Sequence, residues 1–433
     1  MHLNRSTLLL CCLLLFHAAC SSGSGGGAGG SAPTGGAGGQ AGGQSDAAGT
    51  RLDSGGTSSG GTLGLDGGGA STDTSGVPQG FAYVVNQSGA TVSQLTIGSN
   101  GALTALTPPS VPCELRANSL AVDPSGKYLY VVNERGATSA SYGSISQYTI
   151  GADGTLAPMT PPTIAKDYGP SDIAVHPSGK YAYAITFYYP SDGTKLRSVA
   201  QYTIGADGTL TPMSPGAVAI TGSNPQFIAI HPSGNFLYVS DGSGVVNQFT
   251  VDPNTGALSA MTPATVPFPF GTAGHTAFAI TVHPSGKWAY VTDYYGGIAE
   301  YTIDATTGAL SPLSQTTVVG TVFQCAAWIA VDPSGKYAYA TNCGSTSEAI
   351  SQYTVGADGT LAAMTPASVA GASAGTNVQV DASGTHLYMT SGTSGSGSVV
   401  SQFSIGANGA LAPMTPAAVT VGASPNALVL VKR

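Results

Sequence analysis

Short apolar runs alternate with turn residues from residue 80 onward, and one hydrophobic-x-Tyr triplet recurs seven times among them. The triplets are Phe81-Ala82-Tyr83, Tyr128-Leu129-Tyr130, Tyr181-Ala182-Tyr183, Phe236-Leu237-Tyr238, Trp288-Ala289-Tyr290, Tyr337-Ala338-Tyr339 and His386-Leu387-Tyr388. The Tyr residues that end the triplets lie 47, 53, 55, 52, 49 and 49 positions apart. A period of this length predicts repeated β units rather than one irregular domain.

One repeat shows the order of its elements. Apolar runs at 172–175, 181–186, 198–204 and 209–215 are rich in β-branched and aromatic residues and end in turn residues, which predicts strands. Pro-Ser-Gly joins the first two runs and Gly-Ala-Asp-Gly joins the last two, and both are typical of hairpin turns. Four antiparallel strands in about 50 residues form one blade of a β-propeller.

The two ends of the repeat region complement each other. The first repeat begins directly at Phe81 and lacks the strand that precedes Pro-Ser-Gly elsewhere, whereas residues 425–431 resemble that missing strand. The predicted fold is therefore all-β, a seven-bladed propeller over residues 80–433 with four antiparallel strands per blade. Its C-terminal strand completes blade one and closes the ring, which removes the exposed sheet edges.

The N-terminal segment predicts export. Residues 1–19 have Arg5 before an apolar stretch from Leu8 to Phe16, as in a secretory signal peptide. That stretch is too short for a permanent membrane span. Ala18-Ala19-Cys20 resembles a bacterial lipobox, in which Cys20 becomes lipidated, although His17 replaces the usual aliphatic residue. An ordinary signal peptide cut near Ala19 is the alternative.

Residues 20–79 form a Gly/Ser-rich segment with too little apolar surface to offset the entropy of ordering, so a disordered tether is expected. Ser21 does not match an inner-membrane retention signal. We therefore expect a lipoprotein of the cell envelope, anchored in the outer membrane, whose only contact with the membrane is the N-terminal lipid. The sequence does not decide between the periplasmic and the surface side of that membrane.

The charge balance excludes one class of partner. The chain has 13 Lys and Arg against 21 Asp and Glu, and its net charge is −8. With no run of basic residues, this argues against nucleic-acid binding. We expect a monomer.

The repeats also resemble a known family. Ala289-Tyr-Val-Thr-Asp293 and Tyr339-Ala-Thr-Asn342 are similar to the strands of seven-bladed propellers that include 6-phosphogluconolactonase-like lactonases and surface-layer YVTN proteins. The resemblance covers residues 81–433 and implies the fold more strongly than the activity.

The lactonase branch of that family carries Gly-Pro-Arg-His just before an innermost strand. In this chain Gly169-Pro170 is followed by Ser171-Asp172, and the matching places in two other repeats read Asn118-Ser119 and Gln226-Phe227. The missing Arg-His pair argues against that catalytic apparatus.

Strand order assigns the long variable loops to one face, called the top face, around the mouth of the central channel. A lactonase would need a base and a cation there. His275 or Glu134 are the candidate bases, and Arg116 or Arg135 the candidate cations.

Polar and aromatic residues of the same loops predict a ligand-binding mouth. The candidate binding residues are Tyr168, Asp172, Arg197, Asp241, Asp293, Tyr294 and Tyr295. The alternative is that long loops tolerate polar residues without any function.

Side-chain oxygens recur where strands end near the mouth, at Asn86, Asn133, Asp241, Asp293 and Asn342. Such oxygens suit Ca²⁺, but Asx side chains more often cap loop backbone. No Cys/His spacing predicts zinc, and we expect no cofactor.

Three cysteines belong to the propeller. We expect Cys325 and Cys343 to form a cross-strand disulfide in an oxidising compartment, and Cys113 to be a lone, partly buried thiol.

Two functions follow from the sequence. The first is a non-catalytic binding or surface module that uses the top face to hold an envelope protein or polysaccharide. The alternative is a lactone hydrolase of the 6-phosphogluconolactonase-like type, a carboxylic ester hydrolase with a reshaped site that acts on a small lactone.

Overall fold

The computed structural model describes residues 78–134, 143–165, 169–188, 196–270, 275–293, 296–313, 326–342, 348–371, 375–392 and 398–433. Every regular element in these ranges is a β-strand, and the strands form seven antiparallel sheets of four. The prediction of an all-β, seven-bladed propeller is confirmed. A search of these ranges finds no long apolar helix of the kind that crosses a membrane. The predicted signal peptide, Cys20 and the tether up to residue 77 lie outside the described residues.

Strands are numbered in chain order, and each blade contributes one strand to every layer around the axis. The innermost strands of blades one to seven are β28 (Pro425–Lys432), β4 (Ala117–Val122), β8 (Gly169–Val175), β12 (Pro225–Ile230), β16 (Ala277–Val282), β20 (Ala326–Val331) and β24 (Gly375–Val380). The second strands are β1 (Gly80–Asn86), β5 (Tyr128–Asn133), β9 (Tyr181–Tyr188), β13 (Phe236–Asp241), β17 (Trp288–Asp293), β21 (Tyr337–Asn342) and β25 (His386–Ser391).

The outer half of each blade follows the same order. The third strands are β2 (Thr91–Ile97), β6 (Ser144–Ile150), β10 (Leu196–Ile204), β14 (Val245–Val251), β18 (Ile298–Ile303), β22 (Glu348–Val355) and β26 (Val399–Ile405). The outermost strands are β3 (Leu103–Pro112), β7 (Leu156–Ala165), β11 (Leu210–Ala219), β15 (Leu258–Pro267), β19 (Leu310–Pro312), β23 (Leu361–Ala370) and β27 (Leu411–Thr420).

Ring closure occurs as the sequence predicts. Strand β28 pairs antiparallel with β1, so that Phe81 faces Val431 and Val85 faces Ala427. Each innermost strand also contacts the innermost strands of the two neighbouring blades, β28 meeting both β4 and β24. The two ends of the propeller region therefore belong to one sheet, and the axis is surrounded on all sides.

The repeated Tyr of each triplet joins one blade to the next. All seven of these Tyr side chains are fully buried. Each hydroxyl donates to the carbonyl of a turn Gly in the following blade, at 2.6 to 2.8 Å, from Tyr83 to Gly154 through to Tyr388 and Gly101. Burial raises the pKa of each phenol, so the hydroxyl keeps the proton that it donates.

A buried Gln at one position of the third strand supplies a second link. In blade one, Gln94 Oε1 accepts from Leu156 N of blade two at 2.6 Å, while its Nε2 donates to Pro108 O at 2.9 Å. Blade five has Glu300 at this position, and its Oε1 accepts from Leu361 N at 2.8 Å. The acceptor half of the contact therefore survives the change from amide to carboxylate.

The turns opposite the mouth hold their own histidines. His176 Nδ1 accepts from Ser178 N at 3.1 Å, and its Nε2 meets Gly234 O of the next blade at 2.9 Å. His231 and His283 repeat this arrangement. These histidines are structural residues of the turns.

Each innermost strand is irregular near its top end, where the register with the second strand shifts. Hydroxyls of the second strand bond the backbone there. Thr292 Oγ1 accepts from Ala279 N and Thr341 Oγ1 accepts from Trp328 N, both at 2.9 Å. Bulges of this kind redirect side chains and are frequent beside functional sites.

Replacing Tyr130 with Phe tests the Tyr link. The change leaves the buried Gly208 carbonyl without its donor, and we expect the free energy of unfolding to fall by about 1–3 kcal/mol. Tyr128 is the matched control, because its hydroxyl bonds Ala206 O at 3.0 Å in an exposed setting. Tyr128→Phe should change stability by no more than about 0.5 kcal/mol. Equal losses in urea unfolding of the two variants would contradict the assignment.

Candidate functional site at the channel mouth

Two of the predicted catalytic residues lie on segments that lead directly into innermost strands. Arg116 immediately precedes β4 in blade two, and His275 lies two residues before β16 in blade five. Since innermost strands surround the axis, both residues belong to the rim of the channel, three blades apart. The remaining candidate cation, Arg135, lies outside the described residues.

His275 is held by a buried carboxylate. Its Nδ1 lies 2.5 Å from Asp293 Oδ2. The Asp293 side chain is 1% exposed, whereas that of His275 is 37% exposed. The imidazole also stacks on Phe270, with ring centroids 5.4 Å apart and planes at 23°. A carboxylate on Nδ1 fixes the orientation of the ring and stabilises the imidazolium that forms when the ring takes a proton.

Asp293 has a structural counterpart that explains its position. In blade four, Asp241 Oδ1 accepts from Asn224 N at 3.1 Å and from Ser243 N at 2.8 Å. In blade five, Asp293 Oδ1 accepts from Thr276 N at 2.9 Å in the same way. Both Asp residues cap the backbone that enters the innermost strand. Only Asp293 uses its second oxygen to hold a histidine.

Asn residues at the strand ends donate their side-chain amides to neighbouring Ser hydroxyls. Asn86 Nδ2 donates to Ser93 Oγ at 2.9 Å, and Asn133 Nδ2 donates to Ser146 Oγ at 3.0 Å. Within the described ranges, no group of three His, Cys, Asp or Glu side chains could hold a metal ion.

Arg116 and Glu134 form an ion pair in blade two. Arg116 Nε lies 3.2 Å from Glu134 Oε2, and both side chains are partly exposed. The backbone of Arg116 is left-handed, with φ of 58°, and its carbonyl accepts from Glu134 N at 3.1 Å. Glu134 therefore lies against the guanidinium of Arg116 and can hold it in place.

Asp172 lies within the wall rather than on the surface of the mouth. It is 4% exposed, and its Oδ2 accepts from Ile228 N of blade four at 2.9 Å. Burial raises the pKa of this carboxyl to about 6, although hydrogen bonds from Ser119 and Ile228 partly oppose the increase.

Some of the other predicted residues lie within the described ranges and some lie outside them. Arg197 is the second residue of β10 in blade three, and it is half-buried. Cys113 is a partly buried free thiol, as predicted, and burial raises its pKa to about 12. Outside the described residues lie Tyr168, Tyr294, Tyr295, Cys325 and Cys343, so their roles and the disulfide stay predictions.

Sequence reasoning missed an aromatic cluster in the upper channel. Phe227 contacts Phe278 with ring centroids 4.9 Å apart and Trp328 with centroids 4.6 Å apart. These residues occupy the second and third positions of β12, β16 and β20. Aligning the start of the innermost strand across all repeats would have revealed them.

Comparison with known proteins supports the fold and the family resemblance. Residues 120–273 match the sequence model of the family described as lactonase, 7-bladed beta-propeller. A 6-phosphogluconolactonase of Sodalis glossinidius is 30% identical over 113 residues, which are 25% of this chain and 34% of that protein. The alignment therefore spans about a third of that relative.

Solved structures extend the likeness over the whole propeller. A candidate 6-phosphogluconolactonase of Bacteroides fragilis superposes with a TM-score of 0.65 at 20% identity, covering 84% of this chain and 100% of its own. The periplasmic gluconolactonase of Pseudomonas aeruginosa gives 0.65 at 19% identity, covering 81% and 98%. At these identities the likeness shows the fold alone. The match to the family model ends at residue 273, before His275.

Asp172→Asn tests the buried carboxyl. Because its folded pKa is above that of the unfolded chain, wild-type stability should fall as pH rises from about 4 to 6, by about 3 kcal/mol in total. The Asn variant cannot ionise, and its Oδ1 can still accept from Ile228 N. Urea unfolding between pH 4 and 8 measures the free energy of unfolding of both proteins. The variant should become more stable relative to the wild type up to about pH 6, and the difference should then stay constant. A difference that is constant over this range would contradict the burial assigned to Asp172.

Proposed function

We propose that this lactonase-like propeller is a lactone hydrolase that works at the channel mouth with His275 as its general base. The observation that carries the proposal is the 2.5 Å contact between His275 Nδ1 and the buried Asp293. A histidine oriented by a buried carboxylate and partly exposed at a channel rim is suited to taking a proton from water. The family resemblance makes a lactone the most consistent substrate.

The steps follow from ester chemistry. His275 removes a proton from water as the water oxygen attacks the lactone carbonyl, and Asp293 stabilises the resulting imidazolium. The carbonyl oxygen becomes an oxyanion. We assign its stabilisation to Arg116, whose guanidinium is held by Glu134. When the tetrahedral intermediate collapses, the ring C–O bond breaks, the departing oxygen takes the proton from the imidazolium, and a hydroxy acid leaves.

A second candidate function rests on a different observation. Ser171 and Asp172 stand where the lactonase motif has Arg-His, and Asp172 is buried between two blades. A propeller without that pair could serve as a binding module that recognises an envelope protein or polysaccharide through its top face.

We also propose that the chain is exported and is anchored in the membrane by a lipid attached to Cys20. The support is the apolar stretch from Leu8 to Phe16 and the small residues before Cys20. In this proposal the Gly/Ser-rich tether separates the propeller from the outer membrane.

His275→Ala tests the enzyme. In the full-length protein, hydrolysis of sugar and aliphatic lactones should fall by about 10²-fold or more in kcat, since that is the usual contribution of a positioned base. Asp293→Asn should lower kcat as well, because the imidazole loses its orienting carboxylate. His231→Ala removes a histidine from the turns opposite the mouth and should retain turnover wherever the protein is folded.

The rate of lactone opening can be followed by acid release at constant pH, with melting curves to show that each variant is folded. Turnover that persists in His275→Ala would place the chemistry elsewhere. If folded wild-type protein hydrolyses no lactone faster than buffer alone does, the binding module is favoured.

Cys20→Ser tests the anchor. When cells are fed a radiolabelled fatty acid, wild-type protein should carry the label and sediment with membranes, whereas the variant should be unlabelled and soluble after cell fractionation. Label in the variant, or an unlabelled wild type, would contradict lipidation at Cys20.

A further inference from the structure

We infer that Phe270 is a positioning residue for His275, and that the absence of a side chain at Gly297 makes room for the Phe270 ring. The reaction in which His275 takes part rests on the proposed function, whereas the positioning itself rests on contacts among described residues. Asp293 gives His275 one support, and Phe270 gives it a second support of a different kind.

The contact with Asp293 leaves one movement of the imidazole open. The bond between His275 Nδ1 and Asp293 Oδ2 fixes where that nitrogen lies, but the ring can still turn about the line that joins the two atoms. The His275 side chain is 37% exposed, so solvent does not oppose such a turn. A flat surface packed against the imidazole would prevent it.

Phe270 supplies that surface. Its ring centroid lies 5.4 Å from that of His275, and the two planes differ by 23°. Nearly parallel rings at this distance form a stacked aromatic pair, which fixes the plane of each ring. When the imidazole takes a proton, the face of Phe270 also attracts the positive charge.

Phe270 is itself held by the core between blades four and five. The Phe268 side chain is 2% exposed, and its ring centroid lies 5.0 Å from that of Phe270. Phe268 N donates to Gly244 O at 2.9 Å, which ties the segment to the start of β14. Phe270 therefore connects a rigid part of the propeller to an imidazole at its surface.

Gly297, which directly precedes β18, leaves the space that the Phe270 ring occupies. A Cβ added to Gly297 would lie 2.5 Å from Phe270 Cζ and 2.9 Å from its Cε1. No side chain fits at such distances, so the ring keeps this position only beside a Gly. Gly297 O also accepts from Asp293 N at 2.7 Å. One turn therefore holds the carboxylate and accommodates the aromatic ring.

Blade four shows that the fold does not require this ring. Ile220 and Phe268 occupy matching positions, because each follows an outermost strand and donates its N–H to the backbone near the top of a third strand. Two residues further on, Gly222 stands where blade five has Phe270. Asp241 caps its segment without an aromatic neighbour of this kind. The contact that explains Phe270 is therefore the one with the imidazole.

Phe270→Leu tests the positioning directly in the full-length protein. Leu keeps an apolar side chain against the core but has no flat face. The proton between His275 Nδ1 and Asp293 can be followed by NMR, since its hydrogen bond slows exchange with water, and His275→Ala identifies its resonance. We expect exchange to be about threefold to tenfold faster in the variant, which corresponds to the usual strength of an aromatic pair.

Gly297→Ala should have the same effect from the other partner, because the added methyl displaces the ring. In the Phe270→Leu background it should have no further effect, since the ring is already absent. Gly216→Ala on β11 is the matched control, because its Cβ would lie no closer than 3.4 Å to Met213 O. Neither glycine has a left-handed backbone, so the two changes differ only in the space available.

Turnover of lactones measures the consequence for the reaction. In Phe270→Leu, kcat should fall by about tenfold, because the base is less well oriented, while KM should change by less than about threefold. In the His275→Ala background, Phe270→Leu should not lower kcat further. Melting curves show that each variant is folded, and Gly297→Ala gives the same decision if Phe270→Leu does not fold.

Faster proton exchange together with a lower kcat would support the positioning role. Unchanged exchange in folded Phe270→Leu would overturn it, whatever the turnover. Faster exchange with unchanged kcat would also overturn it, because the reaction would then not depend on the position of the ring. Faster exchange in a protein whose wild type hydrolyses no lactone would support the positioning of His275 and reject the hydrolase.

Discussion

The hydrogen bond from each buried Tyr to a Gly carbonyl of the next blade is the contact on which the propeller depends. A single four-stranded sheet cannot bury both of its faces, so each blade needs its neighbours. The bond sets how one blade sits against the next, because both of its atoms are buried and a neighbour packed in another position would leave them unsatisfied. Because β28 completes the first blade, the same contact closes the circle from Tyr388 to Gly101.

While these links between blades are kept, the residues of a blade can vary in two places, the top loops and the start of the innermost strand. The Asp293 carboxylate illustrates how function can arise there. Blades four and five use the same Asp cap at the same point, so the buried carboxylate is already part of the scaffold. A His two residues before the innermost strand gives this cap a second partner, because the free side of the carboxylate then holds the imidazole.

The start of the innermost strands also differs from the lactonase motif. Where related lactonases carry Arg-His, this chain has Ser171 and Asp172, and aromatic rings occupy the matching places of blades four to six. The likeness to known lactonases extends to the fold.

The sequence by itself determined the architecture: seven repeats, four strands in each, a missing first strand supplied by residues 425–431, and His275, Arg116 and Glu134 on one face. Those features follow from the repeat length and from the alternation of strands and turns, which are both visible along the linear sequence. The tertiary structure decided which groups meet. It joined Asp293 to His275, paired Glu134 with Arg116, buried Asp172 between blades, and brought Phe227 to Trp328 past an intervening strand. These contacts depend on the angle between blades and on the bulge that turns the innermost residues toward the axis, and neither is a property of any single repeat.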